Sequence, residues 1–76
     1  MERLYNYFNL MEEVAVKYSH SPAMVAQCKS QAYGALCFYQ HCAILEGVPS
    51  TEWEKAEKIW REDYEPRFKA LLGEAS

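Results

Sequence analysis

Cys37 and His41 are the pair in this 76-residue chain best suited to chemistry. On a helix, a spacing of four stacks a thiol and an imidazole one turn apart on the same face. That arrangement suits two ligands of a zinc or copper ion. It also suits a nucleophile and its base. Neither reading closes within one chain. A structural zinc needs four ligands, and the other candidates are His20, Cys28 and Cys42. Cys42 points to the other side of the helix from Cys37, and Cys28 lies about 21 Å from Cys42 along the axis. Two copies related by symmetry would supply a Cys2His2 set. No third residue is placed to orient His41 as a base. The expectation is no metal, no cofactor and no catalytic residue. A metal- or redox-responsive role for Cys37 and His41 stands as an alternative.

The carboxylates offer less. Glu12 and Glu13 are adjacent and point about 100° apart on a helix. Glu62, Asp63 and Glu65 fall in a charge-rich, solvated segment. Asp63 and Arg67 lie toward the apolar side of that segment, where they are expected to form an ion pair at the edge of the core. A helical chain this small leaves little concave volume, so an enzyme is not expected.

Composition narrows the partners. Eight Lys and Arg against eleven Asp and Glu give a net charge of −3. The bases are interleaved with acids, as in EKAEKIWRED, so no basic face forms and nucleic acid is not an expected partner. Three cysteines provide no paired disulfide framework. The start, MERLYNYFNLMEE, lacks the basic tip and apolar run of a secretory signal. The apolar stretch 31–47 is short for a membrane span and contains Gln31, Gly34, Gln40 and His41. The expected setting is the cytoplasm, with no membrane partner.

These side chains must be carried by helices. Leu4, Phe8, Met11, Ala15 and Tyr18 alternate by four and three, flanked by Tyr7 and Val14, which predicts a first amphipathic helix over about 2–18. Ser21 before Pro22 is a good N-cap with proline at the first helical position. A long second helix is expected over about 22–46, ended by Gly47 with Pro49 beyond it. Thr51 and Glu54 have the form of a capping box opening a third helix over about 51–72, kinked near Pro66. On that helix Trp53, Ala56, Trp60, Tyr64 and Leu71 share a face, and Glu54–Lys58, Glu57–Arg61 and Glu65–Lys69 are acid-before-base pairs one turn apart. Strand signals are weak, since no segment alternates with period two for long. The predicted fold is all-α: one domain, residues 1–76, in an antiparallel up-down-up three-helix bundle with a long central helix and a Pro-kinked third helix.

The central helix carries the functional expectation. Its front is small: Met24, Cys28, Ala32, Ala35, Tyr39, Cys42 and Ala43, widened by Leu36 and Phe38. It is expected to meet the large residues of its neighbours. Behind it Tyr33, Cys37 and Ile44 form a second stripe, joined by His41. From 31 to 47 the only formal charge is Glu46, whereas the chain from Ser50 onward carries twelve. A helix apolar in front and half apolar behind is usually covered on more than one side. The leading expectation is an interaction module that self-associates through helix 2, as a homodimer or against another protein. Tyr33, Cys37, His41 and Ile44 are the expected interface residues, with Tyr5 on helix 1. An acidic inhibitor that blocks a basic site on a partner enzyme is the alternative of a different kind.

Overall fold

A computed structural model of the chain describes residues 2–73. Of the described residues 86% lie in helices and none lies in a strand. Helix α1 spans Glu2–Lys17 and α2 spans Pro22–Leu45. The third segment is built from α3, Ser50–Ile59, a π turn at Trp60–Tyr64, and α4, Glu65–Leu71.

Helix α1 buries Leu4, Phe8, Met11 and Ala15, the stripe its spacing predicts. Tyr18 lies past the helix end and stays 38% exposed. The connection at 18–21 then closes on itself, with the Ser21 N–H donating to the Tyr18 carbonyl at 2.9 Å. Ser21 is extended (φ −115°, ψ 101°), and its hydroxyl accepts from the Met24 N–H at 3.4 Å, with Pro22 in the first turn. The far end of α2 closes through Gly47 at φ 76°. There the Val48 N–H reaches the Ala43 carbonyl at 2.9 Å and the Gly47 N–H reaches Ile44 at 3.1 Å. This paired closure needs a residue in the left-handed region, which glycine adopts without strain.

The third segment departs from its predicted details at its start and again before Pro66. It opens at Ser50, within the expected start, but with Pro49 in the cap position and no side-chain cap. Thr51 is therefore already helical and its capping box does not form. Further on, the Glu65 N–H donates to the Trp60 carbonyl five residues back, the signature of a π turn. This turn lies just before Pro66, which has no N–H to give and whose ring would press on the preceding turn of a regular helix.

The π turn resets the phase of everything after it. On a regular helix each step of four residues drifts by about 40°, so Ala56, Trp60, Tyr64 and Phe68 would fan across about 120°. The extra residue in the π turn winds that drift back. All four are buried, at 0%, 1%, 7% and 0% exposure. A regular-helix reading selects Leu71 for the core and omits Phe68; instead Phe68 is fully buried and Leu71 only half-buried. The expected Asp63–Arg67 pair is overturned by the same rotation. Asp63 is exposed, and Arg67 crosses to Glu12 of α1 at 2.6 Å, its guanidinium 4.8 Å from the Tyr64 ring centre. The pairs Glu57–Arg61 and Glu65–Lys69 close at 2.9 and 3.7 Å.

The core is an aromatic cluster set against small residues. Phe8 lies 5.3 Å from Trp60 and 5.0 Å from Tyr64 between ring centres, and Trp60 lies 5.7 Å from Phe68. Cys28, Ala32 and Ala43 of α2 are buried alongside the larger Val25 and Leu36. Tilted rings at these separations contribute beyond their buried area. Above the cluster, the Tyr64 hydroxyl donates to the Asn9 side-chain oxygen at 2.6 Å, tying the π turn to α1.

The phase shift has a direct test in chemical denaturation. Phe68→Ala is expected to destabilise the fold by about 3–5 kcal/mol and Leu71→Ala by about 1–2 kcal/mol. A regular helix through Pro66 would reverse that order.

Candidate functional site

Helix α2 is covered on one side and open on the other. At 1.5 Å per residue its 24 residues run about 36 Å. Its covered line is Val25, Cys28, Ala32, Leu36 and Ala43. Leu36 belongs to that line as the sequence suggests. Phe38 does not: it is 72% exposed, and Leu45, seven residues on and hence on the same face, is 86% exposed. Phe38 and Leu36 are two residues apart, which turns one about 200° from the other around the axis. Both cannot border one narrow buried stripe.

The expected site residues separate into two groups. Tyr33 is half-exposed, and its ring centre lies 6.0 Å from that of buried Trp60. Cys37 is half-buried beside it. Electrostatic repulsion from Cys37 and a hydrogen bond with it push the Tyr33 phenol above its ordinary pKa of 10.0. This flank of α2 therefore partly faces the third segment instead of standing diametrically behind the core. Ile44 continues the flank at 55% exposure, and His41 is exposed. Tyr5 lies elsewhere. It is half-buried on α1, 6.3 Å from Phe8 between ring centres, and its phenol is raised by burial and by the nearby Tyr39 and Tyr64. It serves the aromatic cluster and is not part of the α2 surface.

Phe38 and Leu45 are the surface residues that the sequence reading left out. The signal was present in their spacing of seven, once the buried line is centred on Ala32, Leu36 and Ala43. Gly34 shares their side: a Cβ added there would meet no atom within 4 Å. From Ser30 to Leu45 the helix holds no formally charged side chain.

The chemistry available to the thiols is limited. Among the described residues no three or more His, Cys, Asp or Glu side chains gather where they could hold a metal ion. Cys28 is buried, and burial pushes its thiol above the ordinary 9.0. It is held as a thiol, the unreactive form. No protein-family model matches the chain, and no curated protein or solved structure matches it.

Three weakly acidic groups give stability a dependence on alkaline pH. Cys28, Tyr5 and Tyr64 are all raised chiefly by burial, so the folded chain holds these protons more tightly than the unfolded one. The resulting stabilisation is fully present below the ordinary values of 9.0 and 10.0 and is lost as pH climbs through the raised ones. The melting temperature, followed by circular dichroism, is expected to stay level to about pH 8.5 and to fall steadily above it. A melting temperature that rose above that point would contradict the burial of these groups.

Proposed function

We propose that the protein is a small helical interaction module that pairs with a second copy of itself through the open side of α2. The observation that carries this reading is the outward pair Phe38 and Leu45, with His41 beside them, on a stretch without formal charge. Exposed apolar side chains scattered singly are ordinary, whereas Phe38 and Leu45 share one face of a stretch without formal charge, which suits association.

A second copy is the partner that the surface fits best. The chain as a whole carries −3, yet two α2 helices can meet along this stripe without opposing like charges. A two-fold axis sets the same patch against itself, so Phe38 of one copy can pack beside the exposed Gly34 of the other. The stripe from Gly34 to Leu45 runs about 16 Å along the helix. We read the bundle as up-down-up, with antiparallel neighbours joined by the short connections at 18–21 and 46–49 and a bend at the π turn before Pro66. In that arrangement the open side of α2 is continuous from Gly34 to Leu45. Three free thiols suit a reducing compartment such as the cytoplasm.

The acidic-inhibitor alternative draws less support. Arg61 and Lys69 already engage Glu57 and Glu65, which neutralises part of the acidic surface that such an inhibitor would present.

Mixing isotope-labelled and unlabelled chains tests the pairing by NMR. Intermolecular Overhauser contacts are expected from the Phe38 ring and the Leu45 methyls of one chain to α2 of the other. Phe38→Glu should abolish them while leaving the helical circular dichroism unchanged, because the side chain is exposed in a single copy. Contacts confined to the third segment, or none at millimolar concentration, would overturn the reading.

A further inference from the structure

His41 occupies the middle of the open stripe of α2. Phe38 lies three residues before it and Leu45 four residues after it, so the imidazole falls between the two outward apolar side chains on one face. Gly34 lies seven residues before it, on the same side. His41 is exposed, and among the described residues no hydrogen bond, ion pair or ring contact engages it. From Ser30 to Leu45 no side chain carries a formal charge at neutral pH. The imidazole is the group on this surface that gains one on mild acidification.

Any helix that covers Phe38 and Leu45 together also covers the ring between them. A neutral imidazole tolerates this, since it donates from one nitrogen and accepts at the other. An imidazolium loses its hydration, and a covered charge is costly unless an opposite charge meets it. The surroundings supply none. Cys37 is stacked one turn back, and Glu46, five residues on, points about 140° away around the axis. Lys29 lies twelve residues back, toward the start of the helix. The chain's other helices pack on the opposite line of α2, through Val25, Cys28, Ala32, Leu36 and Ala43, and bring no carboxylate to the ring. A second copy brings the same stripe, with another His41 and another Cys37. Two-fold symmetry therefore adds like charge to like charge.

We propose that His41 makes the pairing of two chains pH-sensitive: the neutral ring is accommodated between the copies and the charged ring is not, so mild acidification separates them. The inference rests on the pairing proposed above and adds its regulation. Proton linkage gives the direction. The separated chains bind protons that the pair excludes, so pairing is strongest above the ordinary imidazole range near 6.5 and is lost as pH falls through it. At about pH 6 an ordinary imidazole is neutral in about one molecule in four, so a pair that needs two neutral rings weakens about 15-fold. The charge of the whole chain acts in the opposite direction. It is −3 at neutral pH and shrinks toward the isoelectric point of about 5.3, so general repulsion between chains eases on acidification.

Sedimentation equilibrium of the full-length protein at about pH 8 and about pH 6, at one ionic strength and with reductant, tests the inference. The dissociation constant is expected to rise at least tenfold at the lower pH, with the helical circular dichroism the same at both. His41→Gln should pair with one affinity at both pH values. His20→Gln, in the connection between α1 and α2, and Cys37→Ser should keep the pH dependence of the wild-type chain. The inference is overturned if the wild-type chain pairs as tightly, or more tightly, at the lower pH. It is equally overturned if His41→Gln keeps the full pH dependence. A chain that stays monomeric at the higher pH overturns the pairing itself, a failure distinct from pairing that ignores pH.

Discussion

Trp60 is the residue through which the three helical segments meet. Its ring packs on Phe8 from α1, on Phe68 from α4 and beside Tyr33 from α2. A chain this short has few ways to bury enough apolar surface, and a single core of its size supplies only about 3–5 kcal/mol. Concentrating large rings in one cluster, together with small α2 residues such as Ala32, lets the described residues bury a core with their cysteines free. The π turn follows from the same constraint. Residues spaced by four must stay on one side for twelve positions, and a regular helix would carry them off the core. One extra residue in the turn before Pro66 holds Trp60, Tyr64 and Phe68 in register.

That concentration determines what remains outside. The cluster takes one side of α2 and part of a flank, through Tyr33 and Cys37. The side bearing Gly34, Phe38, His41 and Leu45 receives nothing from the chain's own helices. A glycine in an exposed stretch of helix lowers stability by about 1 kcal/mol relative to alanine. Gly34 relieves no contact within the chain, since a Cβ there would touch nothing. Both the glycine and the missing charges become understandable when a second helix lies across that side.

The amphipathic stripe of α1, the Ser21–Pro22 start of α2 and its Gly47 stop were legible because each depends on local chemistry: periodicity, a cap and a left-handed residue. The small residues of α2 facing large rings were legible for the same reason. The phase of the third segment was not. Pro66 announces a disturbance, but whether it produces a kink, a break or a π turn depends on which alternative buries Phe68. Phe68 packs on Trp60, and Trp60 in turn meets Phe8 of α1, a contact between distant parts of the chain. The error in pairing Asp63 with Arg67 and the omission of Phe68 have this one cause. On α2 the charge-poor stretch was legible in the sequence, and the residues expected to use it, Tyr33, Cys37, His41 and Ile44, lie half-buried to exposed in the structure. Phe38 was assigned inward because apolar residues are expected inside, and only the position of the buried line shows that it faces out.

The account rests on α2 being covered twice, by its own cluster and by another α2. Molar mass from light scattering on a sizing column, across a dilution series with reductant present, tests this most directly. The account predicts twice the chain mass of 8.9 kDa, giving way to the monomer only on dilution. A mass of 8.9 kDa at every concentration would contradict it.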